Sequence, residues 1–160
     1  MQNTVLRFFL KGLASLPLGL TQLLGGLGGI SAYLGSSHFR ALFQSNYGHA
    51  MSLSGIKPSP LRAAASSGML FMDSLWIWRN PQKALQLAEI QNWTIVEEAI
   101  GKGRGLVMLT PHLGGFEIIP RILAKHFPAT ILYRPARQEW LNEVIEEQRA
   151  YPNMQFVPTN

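Results

Sequence analysis

The chain has 160 residues, 47% of them hydrophobic and 14% charged, with a net charge of +5 and no cysteine. That length suits one domain with a proper core, and the missing thiols exclude disulfides and thiolate metal sites. A charged fraction well below the roughly 25% of soluble domains points to contact with lipid.

The charge is uneven. Residues 1–84 carry seven Lys/Arg against one acid, and residues 85–160 carry seven against eight, so the apolar half is also the basic half. This favours an anionic membrane surface as partner. The dense Lys/Arg with aromatics expected of a nucleic-acid binder is missing from the sequence, and no nucleic-acid partner is expected.

No Lys, Arg, Asp or Glu lies between Lys11 and Arg40, an interval of 28 residues. Residues 12–34 are long enough for a bilayer core of about 30 Å. The reading adopted is an N-terminal membrane anchor over residues 1–35, spanning or lying in the interface. A buried soluble helix and a signal peptide with Arg7 and Lys11 as its basic start are the alternatives. Gly25, Gly26, Gly28 and Gly29 mark either close helix packing or local irregularity.

Residues 37–50 read as a short amphipathic helix with Phe39, Leu42, Phe43 and Tyr47 on one side. His38 and His49 have no acid near them in sequence and read as surface or packed histidines. Ser59 and Pro60 form a helix start. The run 61–78 is apolar almost all round, with only Arg62 and Asp73 charged, as in a helix that is buried or in lipid. Asp73 is the sole acid of the first half; it is either a polar anchor in a substrate groove or, preferred, the structural partner of a base. Asn80-Pro81 reads as the end of this helix.

Further along, Asn92 is placed to cap a helix over 93–100. The glycine-rich 101–105 lacks the Walker pattern and precedes a strand instead of following one, so it reads as a helix-to-strand connection. A strand over 106–110, a turn at His112, a helix over 116–127, a strand over 129–133, a helix over 138–150 and the start of a strand at 155–157 follow. Such alternation predicts an α/β fold with a parallel or mixed sheet under covering helices.

The turn Thr110-Pro111-His112-Leu113-Gly114-Gly115-Phe116-Glu117 carries the chemistry. On a continuous helix, His112 and Glu117 would stand about 140° apart. Gly114 and Gly115 permit a bend that lets them meet. A carboxylate that holds one imidazole nitrogen makes the other a general base. Sites in parallel sheets gather at the carboxyl ends of strands. Arg134 and Arg137 follow the next predicted strand, where guanidinium groups clamp phosphate or carboxylate.

His112-Leu-Gly-Gly-Phe-Glu117 resembles the His-x4-Asp/Glu motif of glycerolipid-type acyltransferases, and most closely that of the lipid A biosynthesis lauroyl/myristoyl acyltransferases. Gly103-Arg104-Gly105, Tyr133-Arg134-Pro135 and Glu147-Gln148-Arg149 fall in the order that branch uses. Gly115 and Phe116 stand where the branch usually has Asn and Trp.

The resemblance implies transfer of a fatty acyl chain from acyl carrier protein to a hydroxyl of a phosphorylated lipid A precursor. It implies a site on the cytoplasmic face of the bacterial inner membrane, and no metal or other cofactor. His112 would be the base, Glu117 its orienting acid, and the turn at Gly114 and Gly115 the oxyanion site. Arg134 would hold substrate phosphate, with Arg137 and Arg149 as further choices. Members of the branch are about twice this long, so residues 36–160 are expected to be the N-terminal portion of an acyltransferase domain with an incomplete sheet. A lysophospholipid or other glycolipid acceptor, and a non-enzymatic membrane-associated fragment, are the alternatives.

Overall fold

The computed structural model describes residues 2–56, 58–136 and 139–159. The charge-free N-terminal run does not form one rod. It breaks at Ser15 to Pro17 into α1 (Gln2–Ala14) and α2 (Leu18–Gly35). Proline lacks the N–H that a continuing helix would need. Pro17 instead stands before α2, and its carbonyl accepts from the Leu20 and Thr21 amides. The 18 residues of α2 extend about 27 Å, short of a hydrocarbon core. Among the described residues no helix is long and apolar enough to cross a membrane. The expected spanning anchor is corrected accordingly.

Part of α2 packs on α4 (Pro60–Arg79), and small residues set how closely. A Cβ on Gly29 would lie 2.1 Å from the Ala64 carbonyl oxygen, and one on Gly68 2.0 Å from that of Gly25. Gly25, Gly29, Ala64 and Gly68 thus recur at four-residue spacing on facing helices, the pattern that lets backbones touch. The close-packing alternative for these glycines is the one the fold adopts. Trp76 of α4 and Asn80, the residue that follows α4, fasten the α1–α2 corner to it. The Trp76 indole N–H donates to the Leu16 carbonyl at 3.1 Å, and Asn80 Nδ2 donates to the Ala14 carbonyl at 2.9 Å.

The predicted amphipathic helix is α3 (Ser37–Ser54), capped by the Ser36 hydroxyl accepting from the Phe39 amide. Its ring ladder of Phe39, Phe43 and Tyr47 meets Tyr33 of α2. Arg40 donates to the Tyr33 and Leu34 carbonyls, which satisfies the end of α2. Pro81 stops α4 as expected but also begins α5 (Pro81–Leu87), a helix not foreseen. A proline suits the first helical position as well as it suits a stop.

In the second half, α6 (Trp93–Gly101) stacks Trp93 on His126 and Phe127, where α7 (Ile119–His126) ends. A single 3-10 turn, Phe116–Ile118, leads into α7. The strands β1 (Ala129–Tyr133) and β2 (Met154–Pro158) pair in parallel, Ala129 opposite Met154 and Tyr133 opposite Pro158, with α8 (Glu139–Arg149) as their crossover.

The expected strand over 106–110 is absent: this run makes no ladder and is exposed throughout. A strand is stable only with a partner supplying its hydrogen bonds, and within the described residues β1 pairs with β2 alone. The predicted α/β fold is therefore, among the described residues, a mostly helical one with a two-stranded parallel sheet.

Candidate active site

Glu117 lies in the 3-10 turn with only 4% of its surface exposed. An ionised carboxylate at such depth needs partners, and two remote elements supply them. From α4, the Trp78 indole N–H donates to Oε2 at 2.8 Å. From the end of α8, Arg149 donates through Nε to Oε2 at 3.2 Å and through Nη2 to Oε1. Both carboxylate oxygens are thereby engaged by one guanidinium fork, the stronger form of carboxylate recognition. The Arg149 guanidinium also faces the rings of Trp78 and Phe156, each 5.8 Å from its carbon centre, which adds cation–π attraction.

A second arginine, not foreseen from the sequence, holds the backbone of this turn. Arg121 is 1% exposed, four residues after Glu117 on the same helical path. Its Nη1 donates to the Glu117 carbonyl and its Nη2 to the Gln148 carbonyl, both at 2.9 Å. It so ties the 3-10 turn to α8 one residue before Arg149. Burial pushes its guanidinium below the usual range, offset by the charge of Glu117. The i, i+4 spacing from Glu117 was the signal available in the sequence.

His112 is exposed, and its ring lies against Phe116 with centroids 4.4 Å apart and planes at 47°. Among the described residues it makes no hydrogen bond to Glu117, whose carboxylate is occupied by Trp78 and Arg149. The bend between them is present. Gly114 takes φ = 53°, and the Phe116 amide donates back to its carbonyl at 2.9 Å. Gly115 is packed tightly, a Cβ there lying 3.1 Å from Ile77 Cδ1.

The structure thus joins Glu117 and Arg149, and it leaves His112 one turn away on the surface. Arg134 is exposed just past β1, without a hydrogen bond to either His112 or Glu117. Arg137 lies outside the described residues. No group of three or more potential metal ligands occurs among the described residues.

Beside Gly115 the wall of α4 continues to Asp73, whose Oδ1 accepts from Gln22 Nε2 of α2 at 3.0 Å. The expected basic partner is replaced by this amide. Burial pushes the Asp73 carboxyl above the usual carboxylate range, and the Gln22 hydrogen bond acts in the opposite direction.

A family model described as bacterial lipid A biosynthesis acyltransferase matches residues 62–160, a stretch that runs from α4 through the His112 turn to β2 and includes Arg134 and Arg149. No curated relative and no solved structure matches the chain at a significant level.

Proposed function

The chain belongs to the bacterial lipid A biosynthesis acyltransferase family, and from that premise we propose that it moves a fatty acyl chain from an acyl carrier protein thioester to a hydroxyl of a lipid A precursor. The observation that carries the reading is the buried Glu117, fixed from two other elements, a short bend away from an exposed histidine. A carboxylate held this firmly, next to an imidazole open to substrate, suits general-base chemistry.

In the proposed reaction His112 takes the acceptor hydroxyl's proton while the oxygen attacks the thioester carbonyl. The tetrahedral intermediate collapses as the C–S bond breaks, and the imidazolium returns the proton to the departing thiolate. Glu117 orients the imidazole and stabilises its charged form. Backbone amides of the Gly114–Gly115 turn stabilise the developing oxyanion. Because Arg149 now holds Glu117, an anionic substrate drawing on Arg149 and Arg134 would release the carboxylate toward His112. Replacing His112 by Ala is expected to lower transfer from acyl carrier protein by about 10²–10⁴-fold. A panel of lipid A precursor and lysophospholipid acceptors tests both residue and acceptor; near-normal turnover by the variant would end this reading.

We further propose that the protein lies on the bilayer at the inner membrane's cytoplasmic surface. Phe8, Phe9, Leu23 and Leu27 of α1 and α2 are exposed, in the half of the chain that is also basic. Apolar area together with cationic charge is what binds helices in the interface plane. The expected outcome is co-sedimentation with anionic vesicles that weakens when Phe8 and Phe9 are both changed to Ser and when salt rises. Equal binding by wild type and the double variant would remove this placement.

A further inference from the structure

Arg121 is buried where an arginine is seldom found. Its Nε, shut off from water, has no hydrogen-bond partner among the described residues. Burial works against its charge, the carboxylate of Glu117 works for it, and the like charge of Arg149 works against it again. An apolar side chain of similar length would fill this place without those costs. It could not bond two carbonyls at once. Arg121 does so, with Nη1 donating to the Glu117 carbonyl and Nη2 to the Gln148 carbonyl, both at 2.9 Å. The second carbonyl needs such an outside donor. Gln148 lies in the last turn of α8, and the residue four places on, whose amide would otherwise satisfy it, is Pro152. The guanidinium supplies the N–H that the proline lacks.

One planar fork thus fixes the backbone of Glu117 against the backbone of Gln148. The next residue, Arg149, grips the Glu117 carboxylate. The 3-10 turn and the end of α8 are therefore joined twice, by main chain through Arg121 and by side chain through Arg149. Past Arg149 the chain stays close to α7. The Tyr151 ring centre is 5.8 Å from the Arg121 guanidinium carbon, and Asn153 Nδ2 donates to the Ala124 carbonyl at 3.2 Å. We propose that Arg121 is a positioning residue for acyl transfer, its two carbonyl bonds setting where the Glu117 carboxylate stands relative to α8 and to the His112 turn. It touches no substrate and acts through Glu117. The assignment rests on the acyl-transfer reading above.

Two readouts on the full chain test it. Arg121→Met fills the space and removes both carbonyl bonds. A misplacement of about 1 Å costs about 10²-fold in rate, so kcat for acyl transfer is expected to fall by about that factor while KM stays within about twofold. Arg121→Lys keeps the charge but not the fork, and is expected to recover part of the loss. The second readout needs no turnover. The Trp78 indole N–H donates to Glu117 Oε2, so its NMR resonance, assigned with Trp78→Phe, follows the carboxylate. It is expected to move in Arg121→Met and to move less in Arg121→Lys. Should the methionine variant lose its fold by circular dichroism, the lysine variant carries both readouts. Transfer by the wild type with kcat unchanged in the variant, or lowered while the indole resonance stays in place, overturns the assignment. A moved resonance in a protein that transfers to no acceptor supports Arg121 as the residue that positions Glu117 and counts against the acyl-transfer reading alone.

Discussion

The α2–α4 contact and the Glu117 cluster hold the protein together by opposite means. At the first, two helices approach until the carbonyls of Ala64 and Gly25 stand where side chains would begin. The attraction there is dispersion, gained only because four positions carry almost no side chain. At the second, the 3-10 turn, α4 and α8 converge on one carboxylate, and the attraction is charge, hydrogen bonding and ring contact. A contact made of shape tolerates any change that keeps atoms out. A contact made of charge tolerates changes of shape but not the loss of a partner. The helical half is thereby suited to be a rigid support. The second half is suited to respond when a charged ligand competes for Arg149.

The sharpest way to break this contrast is to remove the charge. Glu117→Ala leaves the Arg149 guanidinium mostly buried, and orphans the Trp78 N–H as well. Breaking a buried pair from one side costs about 3–5 kcal/mol. The lower end is expected here, because 18% of the Arg149 side chain still reaches water. Urea unfolding of the purified chain measures it. A cost below about 1 kcal/mol would place the pair among surface ion pairs and dissolve the distinction between the two regions.

Next in size is a test of shape alone, using neighbouring glycines. Gly68→Ala drives a Cβ into the Gly25 carbonyl at 2.0 Å, so the helices must separate. Overpacking of this kind costs about 1–3 kcal/mol. Gly28 lies on the same helix as Gly29 but has open space around its Cβ position. Gly28→Ala is expected to stabilise by about 0.5–1 kcal/mol through helix propensity. Paired thermal melts of the two variants give the answer by sign. If both variants destabilised alike, the small-residue contact would not be what sets the helix separation.

The sequence made legible what depends on near neighbours. The strand over 129–133 matches β1, the helix start at Ser59-Pro60 matches α4, and the bend at Gly114 is present with positive φ. Contacts between distant residues were not legible. Glu117 is five positions from His112, yet its partners are 39 and 32 positions away in Trp78 and Arg149. No local spacing reports such partners. The run 106–110 has the composition of a strand but no ladder to join, and composition cannot supply one. The N-terminal run misled for a related reason. Its lack of charge was visible, but not that Trp76 and Asn80 would pin a corner in its middle.

The smallest expected effect asks whether the helical half is as free of charge as its packing suggests. Asp73 is its one acid, held by Gln22 in an apolar setting that raises its pKa. Unfolded, the group titrates near 3.8, and folded it titrates higher. Between those two values the native state binds more protons than the unfolded state, so stability falls as pH rises through that window. Ionisation of Asp73 is therefore a cost carried at neutral pH and relieved in acid. Asp73→Asn keeps the acceptor for Gln22 and removes the titration. Measured as Tm against pH, the variant is expected to gain on wild type as pH climbs from below 3.8 to neutrality. The opposite trend, wild type gaining as Asp73 ionises, would mean that a cation pairs with it. The α2–α4 region would then depend on charge as the Glu117 cluster does.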